Sequence, residues 1–242
     1  MKADVVVSKL KSMADPRNVE GMARYGINPE NCLGISVTQL REIAKPHRKD
    51  HELALELWET GIHEARLLAV LVDDKKKVTE EQMERWASDF DSWDVCDGCC
   101  LHLFGDTQYA WKKALEWSKR GEEYVKRAGY TMMAVLAVHD KKAEDGAFLK
   151  LLPIIKRASK DERNYVRKAV NWALRQIGKR NLALNKAAVE TAEEILALDT
   201  KAARWIARDA LRELKGAAVQ TRLNERASQA KQRAPRRTQG QA

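Results

Sequence analysis

The stretch EEYVKRAGYTMMAVLA returns as ERNYVRKAVNWALRQI, which sets Tyr124 on Tyr165 and Arg127 on Lys168 at an offset of 41 residues. TKAARWIARDALREL repeats the pattern 38 residues later. A unit near 40 residues that reads as two helices has few folding options. One unit cannot bury its apolar face alone, so successive units must stack on one another. The repeat predicts an all-α chain: a curved solenoid of HEAT-like helix pairs, or α–α superhelix. The second helix of each pair then lines the concave side.

The rest of the chain agrees. Glycine and proline number 12 and 5 in 242 residues, so helix breakers are scarce. Helical periodicity is nearly continuous. HELALELWETG pairs with HEARLLAVLVDD, TEEQMERWASDF with SWDVCDGCCLHLFG, and YAWKKALEWSKRG with YVKRAGYTMMAVLAVHD. GAFLKLLPIIKRAS pairs with YVRKAVNWALRQIGKRN, and LNKAAVETAEEILALD with KAARWIARDALRELKG. Residues 1–50 read as helical capping structure with a Pro-Glu-Asn loop at 29–31. The expected organisation is one domain, residues 1–216, followed by a basic tail, 217–242, with almost nothing apolar to bury and hence no fixed structure.

Charge narrows the partners. The net charge is +9, and the tail holds much of it through Arg222, Arg226, Lys231, Arg233, Arg236 and Arg237 against the single acid Glu225. No run approaches the roughly 18–20 apolar residues of a membrane span. Four cysteines without a secretory leader suggest reduced thiols and a cytoplasmic setting. In the body, Arg204, Arg208 and Arg212 recur at four-residue steps and form one stripe. Arg163, Arg167 and Lys168 stand at the equivalent place one repeat earlier, and Lys126 and Arg127 one before that. Stacking would merge these positions into a band. Two readings stay open: a phosphate track, or a solvated face neutralised by neighbours such as Asp209 and Glu213.

DSWDVCDGCC, residues 91–100, concentrates three of the four cysteines. They lack the two separated halves of a structural zinc site, and adjacent helical residues point about 100° apart. Packing as small hydrophobes is the expected role, with no metal and no cofactor. Trp93, Asp97, Cys100 and Phe104 share one helical stripe. A carboxylate among apolar residues is costly unless it has a partner or a task. An ion pair to Arg127 or to a lysine of a neighbouring repeat is the plain explanation of Asp97.

DFDSWDVCDGCC, YVKRAGYTMMAVL and YVRKAVNWALRQI, with MARYGI near the start, resemble the DNA alkylation repair family of HEAT-like-repeat alkylpurine glycosylases, the AlkD type. The likeness spans roughly residues 20–215. It implies excision of N3- and N7-alkylated purines from double-stranded DNA by a monomer, without a metal. It carries the catalytic aspartate of a Trp-Asp-x-x-Asp arrangement onto Asp97 and its tryptophan onto Trp93. The arginine of the next repeat falls on Arg127, held to grip a phosphate beside the lesion, and the second tryptophan on Trp172. The tyrosine of Met-Ala-Arg-Tyr falls on Tyr25, a DNA contact alongside Lys126, Arg163, Arg167, Lys168, Arg204 and Arg208. Two other functions fit such a fold: a binder of distorted or damaged DNA that cleaves nothing, and a HEAT scaffold for a protein partner.

Overall fold

The structure is a computed structural model, and it describes residues 3–233. Its contacts group into two compact units, Met1–Leu136 and Ala137–Ala242, where the sequence suggested one body ending at 216. Every regular element among the described residues is helical.

The first unit opens with α1 (Ala3–Ser12), α2 (Pro16–Arg24) and α3 (Val37–Ala44). Two helix pairs follow: α4 (His51–Glu59) with α5 (His63–Val72), and α6 (Glu80–Ser88) with α7 (Trp93–His102). Then come α8 (Ala110–Trp117) and the long α9 (Glu123–His139), whose last turn reaches into the second unit. Starts are set by local chemistry. Asp15 caps α2 with Pro16 in its first turn, Ser36 and Gln39 form a capping box on α3, and Asp50 and Thr79 cap α4 and α6.

The core of this unit is an aromatic ladder. Trp58 and Trp86 stack with centroids 4.0 Å apart and planes 3° from parallel. Phe104 bridges from Trp86 to Trp117, at 6.1 and 6.0 Å. The stripe expected from Trp93 to Phe104 is therefore interrupted. Helix α7 stops at His102, and Phe104 belongs to a separate 3₁₀ turn that turns it into this ladder. Beside Trp117, buried Lys113 is ringed by Glu80, Glu84 and Glu116 at 2.6, 2.7 and 2.9 Å. Burial opposes its charge, but the three carboxylates outweigh that and raise its pKa.

The second unit contains α10 (Asp145–Leu149), α11 (Leu152–Ala158), α12 (Asn164–Gly178), α13 (Leu182–Leu196), α14 (Lys201–Leu214) and α15 (Ala217–Arg233). GAFLKLLPIIKRAS, expected as one helix, is two. Pro153 has no N–H to give Leu149, and its ring would clash with that carbonyl, so α10 ends at Leu149 and Pro153 sits in the first turn of α11. The repeat is visible in the bonds themselves. Asn171 donates to Asp209 at 2.7 Å and Arg175 to Glu213 at 2.5 Å, both 38 residues on, so α12 and α14 lie in matching register.

The tail corrects the sequence reading. Residues 217–233 form α15, because Val219 and Leu223, four apart, bury on one face while Gln220 bonds Asn185 and the Leu214 carbonyl. Two apolar residues one turn apart were too faint a signal beside six cations. Arg236 and Arg237 lie outside the described residues.

Candidate functional site

Helix α7 begins at Trp93 beneath a loop that other elements hold in place. Glu64 on α5, fully buried, accepts the N–H groups of Leu33, Gly34 and Ile35 at 2.8, 2.7 and 3.2 Å. Gly34 has φ +80°, and a Cβ there would stand 2.2 Å from the Asp15 carbonyl, so only glycine fits. Further along, Asn28 donates from its backbone to the Ser92 hydroxyl at 2.9 Å and from its amide to Asp91 at 3.2 Å. The Trp93 indole N–H donates to the Tyr25 carbonyl at 3.1 Å. The loop thus sets Tyr25, 80% exposed, beside a half-buried Trp93.

One turn into α7 stands Asp97, only 8% exposed. Arg127 of α9 meets it in a two-pronged pair, Nε to Oδ1 at 2.8 Å and Nη2 to Oδ2 at 2.7 Å. Thr131, one turn beyond Arg127, donates its hydroxyl to Oδ1 at 3.1 Å. Such a charge-assisted fork fixes the carboxylate plane as well as its charge. Burial works against the Arg127 charge, yet the bonds to Asp97 hold its pKa above the ordinary value. Arg127 itself is 6% exposed and turned onto Asp97, not outward as a phosphate grip requires. The plain explanation of Asp97 is therefore present in the structure.

Two of the cysteines sit on the same helix contact. Cys96 and Cys100 donate to the Tyr124 and Ala128 carbonyls of α9 at 3.4 and 3.7 Å, so small thiols let the two backbones approach. All four cysteines are free, and burial pushes the thiols of Cys96 and Cys99 well up, away from the thiolate a metal needs. No group of three candidate metal ligands occurs among the described residues.

The basic residues divide into spent and available cations. Lys126 on α9 is half-buried. Arg163 is forked onto Asp161 at 2.9 and 2.6 Å, and Arg204 pairs with Asp199 at 2.7 Å. Arg167 lies over the Trp205 ring, 5.2 Å from its centroid. Lys168 and Arg208 are exposed. Of the acids beside the stripe, Asp209 pairs with Arg212 of the stripe and also accepts from Asn171, while Glu213 reaches across to Arg175. A cleft of about 390 Å³ remains along α14, where Trp205 is 38% exposed between Lys201, Arg204 and Arg208. Trp172, half-buried on α12, belongs to this second unit, whereas Tyr25, Trp93, Asp97 and Arg127 gather in the first.

The family described as DNA alkylation repair enzyme matches residues 6–214. The chain belongs to this family. An uncharacterized protein of Listeria innocua is 23% identical over 196 residues, covering 79% of this chain and 85% of its own. A solved structure overlays with a TM-score of 0.74 at 22% identity, over 88% of this chain and 95% of that one. It represents a new family of proteins related to the HEAT-like repeat DNA glycosylases, with affinity for branched DNA structures. The overlay establishes the HEAT-like repeat fold for this DNA alkylation repair family member.

Several residues that shape this site escape a sequence reading. Thr131 could have been found as the residue four after Arg127, on the same helix face. Glu64, and the pair of His63 Nε2 with Asp94 Oδ2 at 2.9 Å, could not, because their partners lie about 30 residues away in unrelated segments. No described helix of this family member is long and apolar enough to cross a membrane.

Proposed function

We propose that the protein is a DNA glycosylase that excises N3- and N7-alkylated purines from duplex DNA and so starts base excision repair. Alkylation at those nitrogens makes the base cationic and a good leaving group. As the bond from deoxyribose C1′ to the base breaks, positive charge grows on the sugar, and the purine departs neutral. Water then bonds to C1′ and gives up a proton. A fixed carboxylate stabilises the charge and accepts that proton. The observation that carries this reading is Asp97, oriented by Arg127 and Thr131 one turn from a half-exposed Trp93. A cationic sugar or base facing an indole gains about 0.5–2 kcal/mol, depending on desolvation.

The test is release of 7-methylguanine from alkylated duplex under single-turnover conditions. Asp97→Asn lowers the rate by at least ~100-fold, the lower end of what a placed acid–base group supplies. A melting curve accompanies it, because the change leaves Arg127 without its counter-charge. A full rate in a folded Asp97→Asn protein, or no release by the wild type, sinks the proposal.

One observation favours a second reading, a non-catalytic binder of distorted or branched DNA. Arg127 already engages both Asp97 oxygens, and 8% exposure leaves little of the carboxylate for a substrate. This reading expects tight, salt-dependent junction binding and no base release. A salt-insensitive interaction would point instead to a protein scaffold.

A further inference from the structure

The second unit holds a larger cleft, about 570 Å³, that shares no lining residue with the cleft along α14. It lies at the C-terminal end of α12, walled by the start of α13 and by α15, and carries Lys141, Lys179, Arg180, Asn181, Arg222 and Arg226. No carboxylate lines it.

Two of its cations have structural tasks. Lys179 pairs with Glu213 at 2.6 Å. Arg180 donates to the carbonyls of Ala137, Asp140 and Ala143 at 2.8, 2.9 and 3.1 Å, and its guanidinium lies 4.1 Å from the Phe148 centroid. Carbonyls and a ring orient that charge without cancelling it. The other three are different. Lys141 and Arg222 have no acidic partner among the described residues, and Arg226 has only a 3.5 Å contact to the Lys179 carbonyl. Three uncompensated cations facing one concavity repel each other unless an anion joins them. A helix C-terminus attracts positive charge, but Arg222 and Arg226 project from α15, not from the end of α12.

We propose that this cleft binds the phosphodiester backbone of a second nucleic-acid arm, separate from the arm held along Lys168 and Arg208. Distance supports the separation. Lys168 and Lys179 are 11 residues apart on or beside α12, a rise of roughly 16 Å. That is about two Debye lengths at physiological salt, so phosphates on one site do not neutralise the other. The lining favours a phosphate backbone over a protein partner, because the apolar contribution is limited to Ala137 and Val138 and no aromatic anchor is offered. The inference rests on the DNA-binding half of the proposed function and is independent of base excision.

The experiment compares Lys141→Glu/Arg222→Glu/Arg226→Glu with wild type. Fluorescence anisotropy measures binding to a labelled linear duplex and to a three-way junction with identical arms, across a salt series. An alanine triple at the same positions serves if charge reversal impairs folding, as judged by melting. Junction affinity should fall ~10-fold or more, with a salt slope shallower by about 0.9 for each phosphate that is no longer neutralised. Linear-duplex affinity should change less than about 2-fold, and base release on linear duplex should persist wherever the wild type shows it. Junction binding that matches wild type, or an equal loss on both DNAs, overturns the cleft alone. So does displacement of the junction by polyglutamate at matched charge. Wild type that binds neither DNA overturns the proposed function and the cleft together. Wild type that releases no base yet shows the junction-specific defect overturns only the excision reading.

Discussion

His63 shows how much of this site rests on buried charge. It is 4% exposed and bonds the Asp94 carboxylate at 2.9 Å. Burial disfavours its charge, but the bonds to Asp94 and Cys32 outweigh that and push its pKa up to about 10. A raised folded-state pKa means stability that is complete below the unfolded value near 6.5 and lost as pH climbs through about 10. Denaturant melts of wild type and His63→Gln should therefore differ by roughly 2–4 kcal/mol at pH 6 and converge toward pH 10. A gap that holds constant across that range would show His63 to be neutral. The ion pair next door follows a related rule. Asp97→Ala strands Arg127 and should cost about 3–5 kcal/mol, the usual penalty for half of a buried pair. Asp97 and Arg127 were legible in the sequence as members of a family pattern, and their ion pair as one of two options for the carboxylate. That the pair would consume both carboxylate oxygens was not, because fork geometry depends on rotamers that no spacing encodes.

At the scale of elements, helix packing is decided by what is small. Gly129 lies inside α9, where alanine would normally gain about 1 kcal/mol of helix propensity. A Cβ there would stand 2.4 Å from the Ser118 backbone nitrogen, at the end of α8. Backbone cannot swing aside, and overpacking of this kind costs ~1–3 kcal/mol. Gly129→Ala should consequently lower the melting midpoint, and a stabilised variant would disprove the close approach. Helix α15 invites the opposite operation. Leu223 is 1% exposed, and its replacement by alanine should cost about 2 kcal/mol or more, with amide exchange rising first along α15. Helix periods were readable from residue types, whereas the Pro153 break was read through as one helix although proline carries that signal. The existence of α15 was not readable, since its stability comes from a groove that forms only after α13 and α14 have packed.

For the whole molecule, repetition explains why the fold was more legible than the function. Offsets of 41 and 38 residues announce stacked helix pairs, and the 38-residue bonds of Asn171 and Arg175 obey the same count. Charge does not announce its use in that way. Arg163 and Arg204 look like phosphate ligands in sequence and are paired with Asp161 and Asp199 in space. Lys168→Ala/Arg208→Ala should thus reduce the salt slope for linear duplex by up to about 1.8, and Arg163→Ala by much less. Equal slopes for the two variants would mean that the ion pairs open on DNA. The aromatic ladder, finally, makes the first unit visible to light. Indoles stacked 4.0 Å apart and almost parallel, as in Trp58 and Trp86, couple their electronic transitions and give circular dichroism that vanishes when the stack opens. Trp205, exposed in the second unit under Arg167, emits instead as a surface chromophore that iodide quenches and a bound nucleic acid shields. Optical signals native to the chain can therefore follow unfolding of one unit and ligand capture by the other in a single unlabelled sample.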